Sequence, residues 1–530
     1  MAFASTLLAV SDEAGNPAEL IEKLRQRNAA LEAENTLLRQ KLDLLIRRVF
    51  GVKSEKLDPA QLELLLAESP GGQGKSGASP GTEMPEEAAP TSCKAPLRRS
   101  GKRNEPRWPA DLPVEEVVID PQEVQTAPQD WRCIGAEVKE QLDYQPAKFF
   151  CRRIIRRKYV HRREVDRAPV IAALPGVLQE RCIAAPGLLA QIAAAKYCDH
   201  LPLHRQEQIY WRQQQVWLPR SSQARWMELV ADWLTPVYQE VKRSIFSSGY
   251  VQVDETPVKY LDPGNGKTGQ GYLWVANAPR GEVCYHWAVT RGAVELRGVV
   301  PPQYAGVLQC DGYTAYPCFA REHTNREGEA PDLILAGCWA HVRRGFFEAR
   351  NLAPRQAGWM LRQIGHLYQK ERELRETGAS PVLREAARAG TSSMILRRIH
   401  RALILWKTRC RFLPQGSMGK AIDYALKQWQ TLEVFIRDGR VDLDNNEVEN
   451  AIRPVALGRK NWLFVGDAEA GQRTAILYTI IENCRRLEID PWACLQDVLT
   501  RLPNMTNWQI PDVTPSAWAR ARRKNQRKAA

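Results

Sequence analysis

The chain has 530 residues, enough for several domains and at least one large core. Lysine and arginine number 75 against 61 aspartate and glutamate, and the net charge of +14 favours a polyanionic partner over the plainer reading of a merely basic soluble protein. The 12 cysteines lie singly with no CxxC pair, which argues against a disulfide framework or a paired zinc ribbon. No run is long and apolar enough to cross a bilayer, and the apolar run from Phe3 to Val10 lacks the basic segment of a secretory signal. A reducing, cytoplasmic compartment with no membrane partner is expected.

The first organised segment, residues 1–66, is a heptad repeat. Leu24, Leu31, Leu38 and Leu45 recur every seventh position, with Ile21, Asn28, Asn35, Leu42 and Val49 on the companion seam. Leucine on one seam and asparagine on the other fits a parallel two-stranded coiled coil, the asparagines fixing register. The plainer alternative is one amphipathic helix packed on its own domain, but asparagine buried in a monomer core needs a partner. A homodimer or higher oligomer is expected. Residues 67–110 are rich in Gly, Pro, Ser, Ala and charge, and read as a low-complexity linker ending in the basic Arg98-Arg99-Ser100-Gly101-Lys102-Arg103.

Residues 111–175 carry strand patterns, with Arg152, Arg153, Arg156, Arg157 and Lys158 interleaved among apolar positions, and predict a small β-rich module with a basic face. From 176 to 245 the period turns helical. Two or three helices joined by short turns, the last opening at Arg220-Ser221-Ser222, match a helix-turn-helix DNA reader with Arg220 and Arg225 on its surface. An ordinary helical subdomain fits the same pattern.

Residues 246–340 set the fold class, which is α/β. Strands are predicted at Tyr250 to Val253, Tyr272 to Val275, Val283 to Val289, Val307 to Gln309 and Leu333 to Leu335. Three antiparallel strands, helix, strand, helix, strand is the order of a ribonuclease H-like catalytic core. That fold sets one acid mid-sheet on its first strand and a second at the end of its fourth, where Asp254 and Asp311 stand. Gly266-Lys267-Thr268 lacks the earlier glycine of a phosphate loop and reads as a hairpin turn. Residues 341–440 are helical in pattern and form a large insertion. Residues 441–505 complete the core with its last helices. There Asp444-Asn445-Asn446-Glu447-Val448-Glu449-Asn450 starts a helix that runs into Arg453, Arg459 and Lys460. Three carboxylates delivered by two strands and a helix suit two-metal phosphoryl transfer on nucleic acid. Residues 506–530 end in a basic tail, read as a disordered phosphate-attracting arm.

These stretches carry a resemblance. Ser54-Glu55-Lys56, Gln141-Leu142-Asp143-Tyr144, His200-Leu201-Pro202-Leu203, Asp254-Glu255-Thr256-Pro257, Cys338-Trp339-Ala340-His341, Asp444-Asn445-Asn446 and Arg453-Pro454-Val455-Ala456-Leu457-Gly458-Arg459-Lys460-Asn461-Trp462 follow one another as in the insertion-sequence-66 transposases of bacteria, which the chain resembles from end to end. The resemblance implies DNA transposition by a DDE triad, Asp254, Asp311 and Glu449, holding Mg²⁺ with Mn²⁺ able to substitute. The family's Asn-Asn-x-x-acid spacing selects Glu449 over Glu447. It implies DNA, both element ends and target, as partner, with Arg453, Arg459 and Lys460 on phosphates unless they form only a solvated basic face. Cys338 and His341, at C-x-x-H spacing, are supporting residues. The family's paired cysteines ahead of Gln141 are missing here, where only Cys133 and Cys151 remain, so no zinc is expected. Two alternatives stay open: a catalytically inactive DNA-binding regulator on the same fold, and a dimeric assembly subunit that needs companion proteins from the element.

Overall fold

The computed structural model describes residues 25–28, 112–145, 148–162, 168–262, 266–324 and 333–529. Of the predicted coiled coil only residues 25–28 fall within these limits, as helix. The heptad leucines, the linker and the basic stretch at 98–103 lie outside the described residues.

The first sheet is built on a long hairpin. Strand β2 (Trp131–Gln145) runs antiparallel to β3 (Lys148–His161), β1 (Val114–Ile119) pairs in parallel on the other edge of β3, and β4 (Val170–Ile171) closes its far end. Register decides what its basic residues do. Arg153 lies opposite both Glu140 and Glu116 and bonds to them at 3.1 and 3.2 Å, while Arg156 lies opposite Glu137 and pairs with it. Lys158 also reaches Glu137, at 3.0 Å. The expected basic face is therefore largely neutralised by cross-strand partners. Cys133 and Cys151 sit on different strands, opposite Tyr159 and Leu142 respectively.

Asp143 joins this sheet to the rest. Helix α1 (Pro186–Tyr197) has proline preset at its first position but an alanine, Ala185, at its cap, so its first N–H groups need an acceptor from elsewhere. The fully buried Asp143 carboxylate supplies it, accepting from Leu188 N at 3.1 Å while Arg152 pairs with its other oxygen at 3.0 Å. A Cβ at Gly187 would stand 2.4 Å from that carboxylate, so only glycine lets the acid reach the helix end.

Helices α2 (Leu203–Gln214) and α3 (Arg220–Phe246) follow. Residues 186–246 have no core of their own: Leu188, Val230, Leu234, Val241 and Ile245 join one hydrophobic cluster with Trp274, Tyr285, Leu477 and Val498.

The second sheet has the order β7-β6-β5-β8-β9: β5 (Tyr250–Leu261), β6 (Thr268–Asn277), β7 (Val283–Ala288), β8 (Gly306–Gln309) and β9 (Leu333–Ala336). β5, β6 and β7 are antiparallel, while β8 and β9 run parallel to β5. The five predicted strands all form, with β5 and β6 longer than their apolar patterns. Helix α4 (Ala315–Thr324) links β8 to β9, and α5 (Trp339–Glu348) leaves β9 into the insertion. The insertion's main helices are α6 (Pro354–Glu376), α7 (Ser393–Thr408) and α8 (Ser417–Lys427). They surround a second core that takes Tyr250, Val307 and Ala336 from the sheet. Fully buried Arg388 braces it, its Nε and Nη2 donating to the two Glu371 carboxylate oxygens at 2.7 Å.

Helices α9 (Asn446–Trp462), α10 (Ala468–Arg486) and α11 (Pro491–Arg501) return to the first core. α10 covers the open edge of β7, where Asn483, Thr479 and Gln472 accept from the backbone N–H of Val283, Tyr285 and Trp287, which removes a pairing hazard. The basic tail, expected to be disordered, is instead helix α12 (Pro515–Ala529). Proline at its start and Trp518, whose indole donates to Asp497 at 3.1 Å, anchor it.

Candidate active site

The site begins with two glutamines. Gln252 on β5 lies directly opposite Gln309 on β8, and both are fully buried. Gln252 Nε2 donates to the Gln309 side-chain oxygen at 3.0 Å and to the Asp444 carbonyl at 3.1 Å, and Gln309 Nε2 donates to the Asp442 carbonyl at 2.8 Å. The Tyr250 hydroxyl accepts from Asp442 N at 3.0 Å. Buried amides carry a desolvation cost that these bonds offset, and they clamp the loop before α9 onto the sheet. Sequence reasoning missed this pair. The signal was available: Gln-x-Asp occurs at both Gln252/Asp254 and Gln309/Asp311, and alternation sends residues two apart to one face of a strand.

Asp254 lies two residues beyond Gln252 on β5, and Asp311 two residues beyond Gln309, just past the end of β8. Asp254 is half-buried and its Oδ1 accepts from Glu255 N at 2.8 Å. Burial first, then the negative charges of Glu255, Asp311 and Glu449, push its pKa from 3.8 up to about 8. The three predicted acids therefore share one electrostatic field. Asp311 Oδ1 accepts from Tyr313 N at 2.9 Å. A Cβ at the intervening Gly312 would stand 2.5 Å from the Tyr424 ring of α8, so the insertion packs directly on this loop.

Glu255 points to the opposite face and has a different environment. It accepts from the Tyr316 hydroxyl at 2.7 Å and pairs with Arg291. Burial raises its pKa, and Tyr316 and Arg291 pull it back. Arg291 in turn stacks on Tyr313 at 3.8 Å, beside Asp311.

Glu449 lies in the first turn of α9. Its rival Glu447 is engaged elsewhere, accepting from Arg280 N at 2.8 Å. Among the described residues, Cys338, His341 and Glu449 form the group whose metal-binding atoms all lie within 4.8 Å of one another; Asp254 and Asp311 stand outside it. His341 Nδ1 is 3.8 Å from Glu449 Oε1, and both atoms are buried without a hydrogen-bond partner. Cys338 caps α5, and its buried thiol is pushed up to about 12, by burial above all. Sulfur, imidazole and carboxylate together suit zinc or a similarly soft divalent ion, whereas the two aspartates suit magnesium. The C-x-x-H pair thus stands beside Glu449.

The predicted DNA-contacting cations divide. Arg453 and Lys460 are exposed on α9. Arg459 is held by the protein, donating to Thr256 Oγ1 at 3.1 Å and to the Pro257 carbonyl at 2.6 Å, and so ties α9 to β5. Arg220 and Arg225 are exposed on the first turns of α3. Trp462 is buried in the core.

Comparison with known proteins bears on this geometry. Residues 181–473, which include every residue of the site, match the model of the Transposase IS66 family, and residues 37–117 match one described as Transposase C of IS166 homeodomain. The uncharacterized protein y4jD of Sinorhizobium fredii is 32% identical over 498 residues, covering 91% of this chain and 94% of that protein. The uncharacterized protein y4qI of the same organism is 34% identical over 430 residues, covering 77% of this chain and 73% of its own length. The chain belongs to the IS66 family of transposases.

Proposed function

We propose that the protein is a metal-dependent DNA transposase whose ribonuclease H-like sheet brings Asp254, Asp311 and Glu449 to one site at the ends of an insertion element. One observation carries the reading. Asp254 and Asp311 each lie two residues beyond the paired Gln252 and Gln309 of adjacent parallel strands, and burial first, then the charges of Glu255, Asp311 and Glu449, raises the Asp254 pKa to about 8. Carboxylates kept together against their own repulsion fit a cation, and their hard oxygens fit Mg²⁺ or Mn²⁺.

When bound, divalent ions supply the positive charge that activates an attacking hydroxyl and stabilises the leaving oxygen of a phosphodiester. Asp254, Asp311 and Glu449 would hold them. The Gln252–Gln309 clamp fixes where α9 starts and thereby where Glu449 points. His341 Nδ1 stands 3.8 Å from Glu449 Oε1, beside that carboxylate. Arg453 and Lys460 meet phosphates near the cut, and Arg220 and Arg225 read or grip the element end.

The test is nicking of a plasmid bearing the element's terminal repeats by the full chain, with Mg²⁺ or Mn²⁺. Cleavage at the repeats is expected, and Asp254→Asn and Asp311→Asn should each abolish it while DNA is still retained. Parental rates in both variants would remove the triad assignment. Binding without cutting under every divalent metal would make the chain a regulator instead.

A further inference from the structure

A cleft of about 600 Å³ opens beside Glu449, where α5 and α6 meet the start of α9. Arg343, Arg344 and Arg372 line it, and none has an ion-pair partner among the described residues. Arg153, Arg291 and Arg388, by contrast, are each paired with a carboxylate. Three uncompensated guanidinium groups around one concavity call for an anion with several oxygens.

Two aromatic side chains share the same wall. Phe347 is 42% exposed, with the Arg350 guanidinium over its ring at 4.1 Å. Tyr368 stands near Asp444, in the loop that leads to Glu449. Between them the wall is open at Gly365, in the middle of α6. A Cβ there would meet nothing within 4 Å, so packing does not require glycine. Glycine weakens a helix interior, and the open position is accounted for if a side chain there would obstruct the cleft.

We propose that this cleft holds one unpaired nucleotide of the DNA, its base against Phe347 and Tyr368 and its phosphates on Arg343, Arg344 and Arg372. The inference rests on the reading of Glu449 as part of a DNA-cleaving site. The cleft is too small for a base pair with both backbones, so a nucleotide enters only at a strand end or after leaving the stack. Aromatic faces and cations together bind single-stranded nucleic acid with little regard to sequence.

Binding without divalent metal tests this separately from catalysis. The full chain is titrated with a fluorescent duplex that is blunt, and with the same duplex carrying a five-nucleotide single-stranded 3′ overhang. The overhang is expected to bind about tenfold more tightly, the scale of one stacked base. Gly365→Leu, which fills the cleft with a better helix former, should bring the ratio of the two affinities to near one, and Phe347→Ala should do the same by removing the platform. Equal affinities in the parent, or a preference that survives both substitutions, overturns the proposal. A parent that prefers the overhang yet never cuts any DNA keeps the cleft and removes the proposed function; one that cuts but shows no preference does the reverse.

Discussion

The two sheets treat charge in opposite ways. In the first, cations and carboxylates face one another in register, so Arg153 meets Glu140 and Glu116, and even buried Asp143 is shared between Arg152 and a helix N-terminus. In the second, Glu255 is paired in the same manner, but its neighbour Asp254 is surrounded by other acids. Charge that a fold does not need for its own stability is placed where something else must balance it. The first sheet is thus a connector, and the second carries a site.

The largest effect that would break this comparison lies at Asp254. Asp254→Asn removes a charge the native state resists, so nicking should fall roughly 10⁴-fold while the thermal midpoint at pH 8 rises. A fall in both would mean that Asp254 is structural, like Asp143. Next is Arg291→Ala, which leaves Glu255 buried and unpaired. Denaturant unfolding should show a loss of about 2–3 kcal/mol, at the low end for breaking a buried pair because Arg291 is part exposed.

Acidity sharpens the same contrast. The folded pKa of Asp254, about 8, stands above its ordinary 3.8, so the folded state keeps the proton longer than the unfolded one. Its contribution to stability is complete below the unfolded value and is lost as pH rises through about 8. Melting of the metal-free protein should fall over that window, Asp254→Asn should flatten the slope, and Mg²⁺ should restore stability at the alkaline end. A slope unchanged by the substitution assigns the effect to another group. The smallest effect belongs to the first sheet. Glu137→Gln releases Arg156 and Lys158 on an exposed face and should leave the chemical-denaturation midpoint nearly unchanged; a clear drop would mean that these pairs hold the sheet together.

Much of this was legible in the sequence. Short apolar runs bounded by turns pointed to all five strands of the second sheet, because buried strands carry a strong local pattern. The places of Asp254 and Asp311 beside such strands were readable, whereas Glu449 was chosen over Glu447 only by the spacing that the family resemblance implies. What stayed hidden depends on register and long-range packing. The basic residues of β3 look free until β1 and β2 bring Glu116, Glu137 and Glu140 opposite them. Arg459 resembles Lys460 in the sequence, but one turns to β5 and the other to solvent. The C-terminal segment reads as a charged arm because its anchors, Asp497 for Trp518 and Glu282 for Ser516, lie far away along the chain. Cys338 and His341 show their spacing but not that they converge on Glu449.

The central claim, that Asp254, Asp311 and Glu449 together hold the metal, is most directly tested by anomalous diffraction from crystals of the full chain soaked in Mn²⁺. The account predicts manganese peaks bridging these three carboxylates, lost in Asp254→Asn. Manganese bound only at Cys338, His341 and Glu449, with none touching Asp254 or Asp311, would contradict it.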